Sequence, residues 1–76
     1  MSINNFDKKV YSVLKKLRLQ KKLSQEELAN KANKDRTYIS SLERHERNIS
    51  LKTLIDILIA LDVDLNTFLE ELKNEL

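Results

Sequence analysis

Apolar side chains return along this chain at helical intervals. Phe6, Val10, Leu14 and Leu17 recur at steps of three and four, with Val13 beside the stripe and Lys8, Lys9, Lys15 and Lys16 off it. That spacing predicts a first helix from about Asn5 to Gln20. Ser24-Gln25-Glu26-Glu27 then has the S-x-x-E form of a capping box, followed by Leu28, Ala29 and Ala32, so a second helix starts at Ser24. Asp35 is placed to cap a third helix, with Ile39 and Leu42 facing inward and an end near Arg44 or His45. Ser50 can cap a fourth, whose Leu51, Leu54, Ile55, Ile57, Leu58, Ile59 and Leu61 are apolar on nearly every side. A single neighbour cannot bury all of that surface. Asp64 or Asn66 can open a fifth helix, with Leu65, Phe68, Leu69, Leu72 and Leu76 forming a stripe opposite Glu70, Glu71 and Asn74.

The pattern leaves no place for strands, and composition agrees. The chain contains neither Gly nor Pro and few aromatics, which removes the usual hairpin-turn chemistry and favours an all-α fold of five helices. Its 76 residues read as one domain, 1–76. A domain of this size buries only about 60% of the surface its unfolded chain exposes, so extra stabilisation is needed. With no cysteine and one histidine, neither disulfides nor a Cys/His zinc site can supply it. Self-association through helices 4 and 5 is the remaining source. No segment reaches the roughly 18 to 20 apolar residues of a membrane span, and Met1 to Val10 lacks the apolar core of a signal peptide. The expected location is the cytoplasm.

Charge is distributed unevenly. The formal net charge is +2, but residues 1–52 carry thirteen cationic and six acidic side chains, whereas residues 53–76 carry Lys73 against six carboxylates. A basic working surface with an acidic end turned away from a polyanion accounts for this, as would ordinary solvated faces. The joint between helices 2 and 3 favours the first reading. Leu28, Ala32, Ile39 and Leu42 fall on inward faces, and small Ala29 stands where two steeply crossed helices bring their backbones together. Asn33 occupies the turn, as the best substitute for Gly in left-handed geometry. This is the layout of a helix-turn-helix from about Ser24 to Arg44.

With Ile39 and Leu42 inward, Thr37, Ser40, Ser41 and Arg44 point outward, while Arg36 and Tyr38 project from the first turn of helix 3. Arg36 can grip the O6 and N7 edge of guanine, and Thr37 can touch a thymine methyl or a phosphate. Tyr38 either packs on the sugar-phosphate backbone beside a deformable base step or is a half-buried core tyrosine. Arg47, Asn48, Ser50 and Lys52 gather at the start of helix 4, a second anion-binding terminus; for Lys52, plain solvation is equally consistent.

The stretch L-S-Q-E-E-L-A at Leu23 to Ala29 and S-L-E-R at Ser41 to Arg44 resemble the phage-repressor class of helix-turn-helix proteins, over roughly Leu14 to Phe68. The run D-R-T-Y-I-S-S-L-E-R-x-x-R-N-I-S from Asp35 to Ser50 is similar to the controller proteins of restriction–modification systems. That resemblance implies a homodimer on a palindromic double-stranded operator, regulating its own gene and that of the endonuclease, with RNA polymerase as a further candidate partner. It implies a phosphate contact for Gln25, a DNA-contacting arginine at Arg47, and a role for Tyr38 beside bent DNA. It also implies a structural ion pair between Arg18 and Glu43. Lys22 and His45 stand where the broader family commonly has Gly, Ile49 where it has Pro, and Lys34 where it has an apolar turn residue.

An enzyme is the weakest reading, because the chain offers no nucleophile with a base and no metal cluster, and no cofactor is implied. Asp62 with Asp64 and Glu70 with Glu71 read as caps and solvated faces. The rival from another class is a phage-type repressor or an antitoxin whose helical face, the apolar surplus of helices 4 and 5, holds a partner protein.

Overall fold

All five predicted helices are present in the computed structural model of the protein, which describes residues 5–76: α1 (Asn5–Gln20), α2 (Gln25–Lys31), α3 (Arg36–Glu43), α4 (Leu51–Leu61) and α5 (Leu65–Glu75). Among the described residues there is no strand. The expectation for Met1 to Val10 lies, for its first four positions, outside the described residues. Leu28 and Ala29 of α2, its C-cap Ala32, and Ile39 and Leu42 of α3 meet Val10, Val13, Leu14 and Leu17 of α1 in one core. It is closed by Ile57, Leu58 and Leu61 of α4 and Phe68 and Leu72 of α5. α1 packs on both α3 and α5, and α2 packs on both α3 and α4. The helix-turn-helix therefore rests on a scaffold built by the other three helices.

Two expectations for α1 need correction. Phe6 is 51% exposed, while Tyr11, absent from the predicted stripe, is buried. Phe6 has the right azimuth but lies in the first turn, beyond the cover that later turns receive. The buried arc is also wider than an aliphatic count suggests, since it takes in Tyr11 and Arg18, seven residues apart on the same face. On α4 and α5 the apolar surplus is real. Leu51 and Ile59 of α4, Leu65 and Leu69 of α5, and Leu76 just after it remain exposed. Among the described residues, no helix is long and apolar enough to cross a membrane.

Four helix ends share one solution despite the absence of glycine. Lys22, Asn33, His45 and Asp62 all have φ between 57° and 62°. After α1, the Lys22 N–H donates to the Leu19 carbonyl and the Leu23 N–H to the Arg18 carbonyl. The same pair of bonds recurs after α2 (Asn33 to Asn30, Lys34 to Ala29), α3 (His45 to Leu42, Glu46 to Ser41) and α4 (Asp62 to Ile59, Val63 to Leu58). This is the Schellman arrangement, in which a left-handed residue satisfies the last carbonyls of a helix. Lys22, Asn33 and His45 were legible as such positions, and Asp62 is added by the structure. A residue with a Cβ pays about 1–2 kcal/mol for this conformation, partly offset by the extra entropy glycine loses on folding. Lys22→Gly is therefore expected to stabilise the domain by about 0.5–1 kcal/mol, raising Tm by a few degrees. A calorimetric scan showing a lowered Tm would contradict this account of the turn.

Candidate nucleic-acid interface

The interface begins with how α2 and α3 are fixed to each other. Ser24 Oγ accepts from the Glu27 N–H at 3.0 Å, and Glu27 Oε1 accepts from the Ser24 N–H at 2.8 Å, completing the capping box. These bonds hold the Glu27 carboxyl below its usual range, with the Ser24 backbone bond as the main cause. Ala29 is buried at the crossing, and Asn33 makes the turn in left-handed geometry. Asp35 stands at the N-cap of α3, but its side chain accepts no cap hydrogen bond. The expected side-chain cap is therefore absent, and the exposed Asp35 carboxylate is left to solvent.

Arg36 and Thr37 occupy the first turn of α3, and both are exposed. Neither has a partner among the described residues. Tyr38 is half-buried against the core, and two cations lie near its ring. The Arg47 guanidinium carbon is 4.6 Å from the ring centroid, and Lys34 Nζ is 5.7 Å from it. Asn33, Lys34, Asp35 and Tyr38 line an open groove of about 310 Å³ beside the α3 N-terminus. A cation at these distances from a tyrosine face is attracted by the ring quadrupole. The result is an aromatic ledge flanked by positive charge.

Gln25 and Ser40 are joined rather than independently projecting. Ser40 Oγ donates to Gln25 Oε1 at 2.9 Å, and Gln25 Nε2 donates to Glu43 Oε1 at 3.0 Å. Glu43 in turn accepts from Arg18 Nε at 2.7 Å and Nη2 at 3.0 Å, while Arg18 Nη1 donates to the Leu23 carbonyl at 2.7 Å. The expected ion pair between α1 and α3 is thus present, fork to fork and nearly sealed from water. It anchors the side-chain amide at the start of α2.

Ser41 is a correction. It is 7% exposed, not outward: its Oγ donates to the Tyr38 carbonyl at 2.9 Å and accepts from Arg47 Nε at 3.0 Å. Beside Ile39 and Leu42, it sits where the buried arc of α3 is wider than two aliphatic positions indicate. Arg44 is exposed and paired with Glu46 at 3.0 Å. Asn48 is exposed in the α3–α4 connection. Ser50 caps α4 as expected, accepting from the Thr53 N–H at 3.1 Å and donating to Thr53 Oγ1 at 3.0 Å. Lys52 bonds Asp56 at 3.0 Å one turn on, with a side chain 85% exposed. Such a pair is worth little and opens readily for a stronger anion.

One positioning residue escaped the sequence reading. Buried Tyr11 accepts the Ile49 N–H on its hydroxyl oxygen at 3.2 Å, and its ring lies 6.0 Å from that of His45. Burial pushes its hydroxyl pKa up. Tyr11 thereby fastens the connection that carries Arg47 and Asn48. The available signal was its position one heptad from Arg18.

Comparison with known proteins follows the same outline. A family profile described as helix-turn-helix matches residues 14–68. The chain is 49% identical over 55 residues to control protein C.SmaI of Serratia marcescens, covering 70% of this chain and 66% of that protein, just under two thirds of its length. It is 43% identical over 63 residues to control protein C.MunI of a Mycoplasma species, covering 82% and 85%. Among solved structures, the restriction–modification controller protein C.Esp1396I, as a tetramer in complex with its natural 35-base-pair operator, superposes with a TM-score of 0.93. That match has 45% identity and covers 96% of each chain. On these matches the chain belongs to the helix-turn-helix family, among the controller proteins of restriction–modification systems.

Proposed function

We propose that the protein is a sequence-specific DNA-binding transcription regulator. It acts in the cytoplasm as a homodimer on a palindromic operator to control its own gene and that of a restriction endonuclease, and it carries no catalytic activity. The observation that supports this most is the first turn of α3. Arg36 and Thr37 stand exposed and unpartnered there, next to a tyrosine ledge flanked by Lys34 and Arg47. Arg36 reads a base edge and Thr37 a neighbouring methyl or phosphate. Gln25, Ser40, Arg44, Asn48 and Lys52 set the register on the backbone, and Tyr38 with Arg47 meets the operator centre. Operator binding by a tetramer of C.Esp1396I supports the assignment.

Residues 1–76 act as one domain, and the exposed Leu51, Ile59, Leu65 and Leu69 of α4 and α5 form the face through which two copies join. Two recognition helices then lie about one DNA turn apart, roughly 34–36 Å. Charging this face should separate the copies without touching α3. A Leu65→Asp, Leu69→Asp variant is expected to sediment as a monomer at micromolar concentration and to lose cooperative operator binding. A wild-type protein that is strictly monomeric under the same conditions would overturn the dimeric reading.

A further inference from the structure

Arg47 is exposed and follows α3 in an irregular connection, where a long side chain would ordinarily sample many rotamers. It does not stand free. Its Nε–H donates to Ser41 Oγ at 3.0 Å, and its guanidinium carbon lies 4.6 Å from the Tyr38 ring centroid. Ser41 is itself buried and turned by its own bond to the Tyr38 carbonyl. The hydroxyl proton is thus committed to α3, and a lone pair is aimed at Arg47. The bond to Ser41 uses the Nε–H alone, and the Nη1/Nη2 edge, the bidentate fork, has no partner among the described residues.

We propose that Ser41 is a positioning residue for DNA binding: it holds Arg47 over the Tyr38 ring so that the Nη fork is presented, already ordered, to a backbone phosphate. The proposal rests on the DNA-binding reading above. Burial of Ser41 excludes a direct contact, so its influence passes through Arg47. An arginine ordered before association does not lose its rotamer freedom on binding, which favours the complex without adding any contact to DNA. Because the Arg47 charge is the same whether latched or not, the latch alters affinity but not the number of phosphates neutralised.

The test uses the 76-residue chain and a duplex of about 35 base pairs, the operator length in C.Esp1396I, enriched by the wild-type protein from a randomised pool. Ser41→Ala is expected to weaken binding about three- to tenfold per protomer, the range for ordering one long side chain. Its Tm should be unchanged or raised, since Ala is the better helix former, and its slope of log K against log salt should match wild type. Arg47→Ala should weaken binding further and flatten that slope by about 0.9 per protomer. In the Arg47→Ala background, Ser41→Ala should add less than a twofold loss. Wild-type affinity in Ser41→Ala, or an undiminished Ser41 effect when Arg47 is absent, overturns the proposal. Failure of the wild-type protein to enrich any duplex would instead overturn the reading beneath it.

Discussion

Glu43→Gln is expected to lower Tm by about 10 °C or more. The substitution keeps side-chain volume but removes the charge that Arg18 grips through two nitrogens, in a site where both side chains are under a tenth exposed. Leaving one buried charge without its counterion typically costs about 3–5 kcal/mol. A domain of this size has roughly 4–11 kcal/mol in total, and each kcal/mol shifts Tm by about 4–8 °C. The cost extends to function, because Gln25 and through it Ser40 are tied to the same carboxylate. Thermal unfolding followed by circular dichroism checks it. A variant melting within about 2 °C of wild type would show that the pair does not hold α1 to α3.

Much of this was legible in the residues themselves. Helix starts were set by local chemistry, as with the Ser24–Glu27 box and the Ser50 cap, and the left-handed turn at Asn33 followed from side-chain type alone. The inward positions Leu28, Ala29, Ala32, Ile39 and Leu42 followed from spacing. Polar residues with more than one available role were not legible. Ser41 and Arg44 are both small steps from the apolar stripe of α3, yet one is buried and the other exposed. The difference depends on how far neighbouring helices wrap that surface, which no local period encodes. Asp35 likewise had the residue type of a cap but not the side-chain geometry. Tyr11 was hidden because its role is a bond to Ile49, thirty-eight residues away.

Arg36→Ala should chiefly erase sequence preference. Its side chain stands exposed at the first position of α3 and makes no bond among the described residues, so truncation leaves the fold intact and removes a fork suited to guanine. One bidentate contact is worth about 1–3 kcal/mol of discrimination, and a dimer loses it in both half-sites. Affinity for the enriched duplex should fall by roughly two to four orders of magnitude, while affinity for a scrambled duplex falls by little more than the loss of one charge per protomer. Equilibrium titrations of both duplexes read the two terms separately. Preserved discrimination in Arg36→Ala would place base reading elsewhere on the surface.

Whether α3 reads DNA sequence is decided by the ratio of wild-type affinities for the enriched duplex and for a scrambled duplex of the same length and composition, at one physiological salt concentration. A sequence-reading α3 gives a ratio of about 10³ or more, with the enriched duplex an inverted repeat whose half-site centres lie about 10 base pairs apart. A ratio near one would contradict it.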